Sequence, residues 1–557
     1  MSNTSPVPIL IAGAGPTGLI LALTLLQNGI PVRIIDKDAN RNPGQRGAGL
    51  QPRTLDLFHF LEVIDDVLAK ALLIMPGHQY KLPGGVEILK VVIMTSIVEP
   101  TPSIPYNNAK LLGQYNTEAI LRSHIERLGG KVEYGTELRS FVQYPDRVEA
   151  LLATKNGEAE KIETVVTHWL VGSDGGRSAV RKQLNLSFIG ETRTEGQWKA
   201  VLGLVETQGL GTDYWHQWGD INTAGVMMMP TERPGWFSFM LKAAADEEKL
   251  LVDRDALVEV LYKQVGRKDL VFGQVEALSL YRPNIRVVDK FSEGRVFLAG
   301  DAAHVHSPAG GQGLNSGAQD SFNLAWKLSL VEKGLASPSL LATYTEERLP
   351  VIAAMLQKST KLYDAMLKNA EDGWKRGGDL KMLGINYRWS SIVVDERTPK
   401  AESPNDVNPY GSGNDSELRA GDRAPEAPDL VPVRTGEADG ATSLFNVFRP
   451  MHHTVLLFNL PAEEMEQLLQ AAQKYQAGSV KTVLVFPQGT SDPHIAGQPD
   501  LVVVDKGGHA YAGYLVSPEK PTIVIVRPDG VIGGIAYGLK GFETYFRGVF
   551  SVIGDAL

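Results

Sequence analysis

The sequence predicts an α/β fold in three parts: a Rossmann-like unit, an antiparallel sheet interleaved with it, and a small α/β unit at the end of the chain. Three observations predict it. The chain opens on an apolar run, a glycine turn and a helix-like segment, Val7 to Asn28. Two more short apolar runs, His168 to Gly172 and Arg295 to Ala299, end in Asp174-Gly175 and Gly300-Asp301, each more than a hundred residues further on. The composition also shifts twice, to aromatic and alternating over 192–288 and to Pro, Gly, Asp, Glu and Ser over 399–439.

In the opening stretch, Gly13-Ala14-Gly15-Pro16-Thr17-Gly18 leads into a helix closed by Gly29, and a second apolar run, Val32 to Ile35, ends in Asp36. Strand, GxGxxG, helix, strand and acid at this spacing form the dinucleotide-binding fingerprint. Gly13 permits the tight turn, Gly15 lets backbone amides approach a pyrophosphate, and Gly18 lets helix and strand pack closely. The helix N-terminus favours the anion. Asp36 is placed to accept from an adenosine ribose, and Lys37 beside it is counted as a cofactor contact. The motif alone does not separate NAD from FAD.

Residues 37–49 read as a polar loop and Leu50 to Leu68 as helical. Pro76 to Pro105 is strand-like. Gly113 to Arg127 returns to a helical pattern, and Lys131 to Tyr134 is a short strand. Arg139–Gln143, Arg147–Thr154 and Lys161–Val166 read as a meander, with His168 to Gly172 a separate buried strand. The aromatic region, including Tyr214 to Trp218 and Trp236 to Phe239, reads as an antiparallel sheet carrying one face of a pocket, with one helix at Asp253 to Val265. Helices follow at Leu314 to Val331 and Tyr344 to Tyr363. The tail has strands at Thr454–Asn459, Thr482–Phe486, Leu501–Val504 and Thr522–Val526, and helices at Glu463–Tyr475 and Gly541–Phe550.

The chain has 557 residues, 43% hydrophobic and 21% charged, with a net charge of -9 and no cysteine. The acidic balance argues against nucleic acid, which needs clustered cations. Without cysteine there are no disulfides, thiolate metal sites or cysteine nucleophiles. His304 and His306 lack metal-ligand partners of the right kind, so no metal is expected. No apolar stretch nears the ~20 residues of a membrane span. The first strand starts within ten residues of Met1, which leaves no room for a signal peptide. A cytoplasmic protein without membrane attachment is expected.

Gly13–Gly18, GSDGGRSAVRK at 172–182 and RVFLAGDAAHVHSPAGGQGLNSGAQDSFNLAWKL at 295–328, in this order, resemble the class A flavoprotein aromatic hydroxylases, with the fold of 4-hydroxybenzoate hydroxylase. RPDG at 527–530 resembles the phenol hydroxylase subgroup, which adds a C-terminal thioredoxin-like domain. The resemblance implies a discontinuous FAD-binding domain at 1–80, 111–191 and 289–350, and a substrate-binding sheet domain at 81–110 and 192–288. It also implies a helical segment at 351–398, a linker at 399–417 and a thioredoxin-like domain at 418–557. Lacking cysteine, that last domain cannot exchange disulfides.

The family pattern assigns Asp301, after Gly300, to the flavin ribityl chain. Gly311 and Gly313 let backbone reach a flat ring, and Leu314 and Asn315 open a helix facing the flavin N1–C2=O edge. Pro308 walls the oxygen-reaction site. Asp174, Arg46 and Gln114 match family cofactor contacts. The family reaction then follows: transient NADPH or NADH reduces FAD, O2 gives a flavin C4a-hydroperoxide, and a phenolic ring is oxygenated. Ring hydroxylation, decarboxylative hydroxylation and dearomatisation all remain open. Family habit favours NADPH and a homodimer. Where phenol hydroxylase carries a basic aspartate, this chain has Ala48. Tyr281 matches a pocket-lining tyrosine, and the missing role could fall to His216, between Trp215 and Trp218, to Tyr281 or to Arg282, with a core histidine the alternative for His216. A different class of function, a non-catalytic flavin-binding scaffold or interaction protein, remains the competing reading.

Overall fold

A computed structural model describes residues 7–40, 44, 47–156, 159–192, 199–243, 246–307, 310–368, 371–401, 403–411, 417–433, 442–491 and 495–551. In chain order, β1 (Val7–Ala12) leads through the glycine turn into α1 (Pro16–Gln27) and β2 (Val32–Asp36). α2 (Pro52–Phe60) follows, then the hairpin β3 (Gly77–Tyr80) and β4 (Ile88–Val92), and α3 (Gln114–Arg127). Next come β5 (Val132–Tyr134), β6 (Thr136–Gln143), β7 (Val148–Asn156) and β8 (Ala159–Gly172). The aromatic region supplies β9 (Ala200–Gln208), β10 (Trp215–Asp220), β11 (Ala224–Pro230), β12 (Trp236–Lys242), α4 (Arg254–Val265) and β13 (Val271–Tyr281). β14 (Val296–Leu298) returns to the first layer and is followed by α5 (Gly313–Glu332) and α6 (Ala342–Leu367).

β14, β8, β1, β2 and β5 pair in parallel in that order, and β7 and β6 extend β8 as an antiparallel meander. The parallel strands are apolar because helices cover them. Ile9, Leu10 and Ile11 are fully buried, as are Leu19 to Leu23 of α1. β8 is one strand of fourteen residues. It joins the two runs that the sequence separates, because its first half pairs with β7 while its last residues pair with β1 and β14.

The second sheet has the order β13-β9-β12-β11-β10-β3-β4. Its boundary falls earlier than position 81: β3 begins at Gly77 and pairs with β10. One face is covered by α4 and closes over Val226, Met228, Phe237 and Phe239, all buried. Asp253 caps α4 by accepting from the Ala256 amide at 2.9 Å. The edge strand β4 exposes Ile88, Leu89 and Val91.

The tail builds a third sheet from β15 (Val394–Asp395), β16 (Leu430–Pro432), β17 (His453–Phe458), β18 (Val480–Phe486), β19 (Leu501–Asp505), β20 (Thr522–Val526) and β21 (Ile532–Ala536). Its order is β15-β21-β20-β17-β18-β19-β16. The helices α7 (Ala462–Ala472) and α8 (Leu539–Val549) belong to it. β15 lies in the segment expected to be helical, and β16 in the stretch whose composition reads as a connection. Described residues of that stretch pack against the rest: Tyr410, Ala424 and Ala427 are at most 1% exposed, and the Tyr410 hydroxyl bonds Gln312 beside the third glycine loop.

The tail is fastened to the first layer by buried charge. Arg527 donates to Glu347 of α6 at 2.7 and 2.9 Å, and to Asp529. Lys327 of α5 donates to the same Glu347 at 2.8 Å, and Trp326 Nε1 reaches Asp529 at 3.3 Å. Arg53 of α2 donates to the Asp529 carbonyl at 2.8 Å, and Arg423 to Asp56 at 2.6 Å. Burial disfavours the Glu347 carboxylate, but Arg527 and Lys327 outweigh that and hold it below the usual range. Burial lowers Lys327 to about 8, although Glu347 opposes the shift.

Candidate active site

Three glycine-bearing turns meet at the C-terminal ends of β1, β8 and β14. Gly13 has φ +106°, and a Cβ there would collide with the Ser173 carbonyl. A Cβ on Gly18 would collide with the Gly13 carbonyl, whereas one on Gly15 would meet nothing within 4 Å. The turn is therefore closed on the protein side and open on the side facing the cleft, where an anion can lie against the N-terminus of α1. Pro16 occupies the first turn of that helix. Asp36 accepts from the Ala14 amide at 2.8 Å and the Asp38 amide at 2.9 Å, which fixes the loop beneath the cleft. Lys37 beside it is exposed.

Thr17 wedges the first turn against the third. A Cβ on Gly300 (φ +60°) or on Gly317 would strike its side chain, and its carbonyl accepts from Ser321 at 2.7 Å. Gly300 N donates to Asp320 of α5 at 3.0 Å. Asp320 also takes His304 Nε2 and Arg348 Nε, each at 2.7 Å, and Arg348 continues to the Tyr387 hydroxyl at 3.0 Å. Burial would raise the Asp320 carboxyl, but the Arg348 and His304 charges win and hold it at about 2. This node fixes the turn so that the Asp301 side chain stays exposed.

Gly311 has φ +61° and its carbonyl accepts from Asn315 Nδ2 at 2.7 Å. The same Nδ2 donates to Gly49 at 2.8 Å, and Asn315 Oδ1 accepts from Gln51 N at 2.8 Å. Asn315 thus staples the 47–51 loop to the start of α5, with Leu314 beside Gly47. Gly313 begins α5, and a Cβ there would come within 2.8 Å of His306 Nε2. Ser178 caps the short 179–183 helix, and Asp174 braces its first turn, its Oδ2 accepting from Ala179 N at 2.6 Å and Val180 N at 3.2 Å.

A cavity of about 420 Å³ opens on the bare face of the second sheet. Leu202, Trp215, Met227, Met229, Met240 and Leu278 give it apolar walls. Gln114, Ser238 and Ser279 line it with polar groups, and Trp215 Nε1 is buried without a hydrogen-bond partner among the described residues. Ala277, at φ +55° in a bulge of β13 opposite β9, sits on its wall. Gln114 starts α3 and donates to Glu118 at 2.8 Å. It stands where the cavity meets the 47–51 loop, since its Oε1 lies 3.6 Å from the position of a Cβ on Gly47.

The FAD binding domain profile matches residues 6–359. A flavin-dependent monooxygenase of Mycobacteroides abscessus is 36% identical over 491 residues, 86% of this chain and 95% of that protein. Aklavinone 12-hydroxylase of Streptomyces purpurascens is 30% identical over 95% of both chains. The chain is a class A FAD-dependent aromatic monooxygenase. Its fold superposes on a ternary complex of aklavinone-11 hydroxylase with FAD and aklavinone at a TM-score of 0.77, with 25% identity, covering 98% of this chain and 99% of the other. The cleft of the monooxygenase fits its cofactor. The open side of Gly15 admits a pyrophosphate, the exposed Asp301 carboxylate can accept from ribityl hydroxyls, and the α5 N-terminus offers amides to a flavin edge.

The monooxygenase does not bring all its expected site residues together. His216 lies on the α4 face of the sheet, 2% exposed, away from the cavity. Its Nδ1 bonds the Tyr80 hydroxyl and its Nε2 the Gly211 carbonyl, both at 2.8 Å, and it stacks on Trp218. Burial lowers it to about 4. Its neighbour Trp215 faces the cavity instead, because successive strand residues point to opposite faces. Tyr281 ends β13 two residues beyond Ser279 and is not among the residues lining the cavity. Arg46 and Pro308 fall outside the described residues. Asp320 and Arg348 carry no motif, since within α5 and α6 a buried acid and arginine look like any amphipathic pair, and Trp215 reads in the sequence only as one aromatic of the pocket sheet.

Proposed function

We propose that this monooxygenase uses NAD(P)H and O2 to oxygenate a phenolic ring held in the cavity above the second sheet. One observation carries the reading: Gln114, at the start of α3, lines the cavity and its Oε1 approaches Gly47 of the loop stapled by Asn315, which supports an apolar cavity opening onto the cofactor cleft. Bound and reduced FAD would supply the activation of O2, and O2 is the source of the oxygen atom transferred. The chain's own part is to bind, orient and dry the ring. Leu202, Met227, Met240 and Leu278 exclude water, and Trp215 Nε1 and Ser279 are donors available to a phenol oxygen, while the Ser238 hydroxyl donates to the Met229 carbonyl at 3.4 Å. A volume of about 420 Å³ falls within the range of small-molecule sites.

No carboxylate or histidine lines this cavity among the described residues. With Ala48 in place of the family aspartate, deprotonation depends on the substrate's own acidity, helped by the donors that stabilise a phenolate. By the family pattern, Tyr281 at the end of β13 belongs to the pocket and Pro308 to the oxygen-reaction site. The tail is read as a cysteine-free thioredoxin-like domain. A β17-α7-β18 parallel unit and a β20-β21-α8 unit sharing one sheet support that.

A panel of phenols tests the function, with NAD(P)H oxidation, product mass and H2O2 followed together. Substrate-stimulated NAD(P)H consumption with a one-oxygen gain in product is expected. A chain that binds FAD but shows no stimulation by any phenol is a flavin-binding scaffold instead.

A further inference from the structure

Three of the chain's twelve methionines stand together on the cavity wall. Met227 of β11 and Met240 of β12 are direct cross-strand partners, and Met229 lies one step along the same face of β11. Met228, between them, points the other way, fully buried against the α4 face. Leucine would fill the same volume and exclude water as well. What a thioether adds is a sulfur that takes up oxygen, and this sulfur lines the chamber of an enzyme that handles O2.

We propose that Met227, Met229 and Met240 form an oxidation-sensitive wall, converted to sulfoxide by hydrogen peroxide lost during uncoupled turnover, and that this conversion closes the cavity to apolar rings. The proposal rests on the oxygen chemistry given above. In the step, a methionine sulfur attacks one peroxide oxygen and the O–O bond breaks. The sulfur is oxidised by two electrons to S=O, and the other oxygen leaves as water after proton transfer. Each sulfoxide places a strong acceptor on a wall that has few donors, so apolar substrate binds roughly five- to tenfold more weakly. The modification is reversible by methionine sulfoxide reductase. An enzyme starved of its proper substrate then stops consuming reductant on poor ones.

The holoenzyme is tested in two arms, each read by tandem mass spectrometry that localises the added oxygen. In one, NAD(P)H and O2 are supplied without phenol, with catalase present to remove peroxide that escapes. In the other, hydrogen peroxide is added to the resting holoenzyme, which needs no turnover. Turnover is expected to modify Met227, Met229 and Met240 several-fold ahead of Met75, Met366 and Met451, which are equally half-buried or more accessible than Met227. Met228 is expected to stay unmodified in both arms. The triple variant Met227→Leu, Met229→Leu, Met240→Leu should keep a larger share of its own starting activity after the same treatment, and reductase should restore only the wild type. Modification that follows general exposure in both arms, or that strikes Met228 alongside its neighbours, overturns the proposal. Absence of NAD(P)H consumption overturns the proposed reaction instead, and the added-peroxide arm still decides the methionine wall.

Discussion

Replacing Arg527 with methionine is expected to destabilise the cofactor-binding half of the enzyme from a position in the tail. The side chain is fully buried and donates twice to Glu347 and twice to Asp529. With Lys327 the cluster holds two positive and two negative charges. Arg527→Met keeps most of the volume and leaves one net negative charge in a dry interface. Breaking a buried pair from one side costs about 3–5 kcal/mol. Lys327 still reaches Glu347 at 2.8 Å, so the lower part of that range, about 3 kcal/mol, is expected here. Urea unfolding followed by flavin fluorescence and tryptophan fluorescence reads the shift in both halves. Glu347→Gln and the double variant complete a cycle, and the coupling should exceed about 1 kcal/mol. A loss under about 1 kcal/mol for Arg527→Met, or additivity within about 0.5 kcal/mol, would refute the view that this pair joins the two parts.

Gly15→Ala should lower FAD occupancy after gel filtration while leaving the apoprotein's unfolding midpoint unchanged, because its Cβ meets open space. Gly18→Ala should lower both, since its Cβ meets the Gly13 carbonyl; equal behaviour of the two variants would contradict the assigned geometry. Stability should fall as pH drops from about 6.5 towards 4. Burial lowers His216 and His452 to about 4 and His453 to about 3, so the unfolded chain takes up protons that the native state refuses. Each contributes stability present above the unfolded pKa of about 6.5, on the order of 2–3 kcal/mol, as measured by urea midpoints across that window. Leu202→Trp should cut phenol-stimulated NAD(P)H oxidation at least about tenfold with FAD retained, by filling the cavity. Across substituted phenols, the acid limb of the hydroxylation rate should track each substrate's own pKa; a single limb shared by all of them would reveal an enzyme base.

The cofactor cleft is legible in the sequence because each of its turns shows as a short glycine-bearing motif, even though the turns meet across the chain. Gly13 and Gly18 are fixed by backbone approach, Gly300 by its positive φ against the Thr17 side chain, and Asn315 by reach to the 47–51 loop. The cavity is less legible because it depends on register. In the run Tyr214 to Trp218 a shift of one residue exchanges the faces, and Trp215 and His216 changed places on that account. The Asp320–Arg348 and Glu347–Arg527 pairs join positions 28 and 180 residues apart, which no spacing rule encodes. The connection after 399 misled through composition: its prolines and glycines read as loop, while Tyr410, Ala420, Ala424 and Ala427 are buried. The two-residue strand Val394–Asp395 is too short to show a period.

The seam between α5, α6 and the tail also sets an order of events on the ribosome. Trp326, Leu330 and Leu340 share an apolar cluster with Leu457, Ile525, Phe542 and Phe546, all of which are synthesised more than a hundred residues later. Until residue 527 emerges, the outer side of α5 stays wet and Glu347 lacks its arginine, although every glycine turn of the cleft already exists. The nascent enzyme therefore passes through a long interval with a finished nucleotide motif and an unfinished helix behind it. Chaperone engagement is expected to concentrate there, and so is aggregation when translation of the last third is slowed.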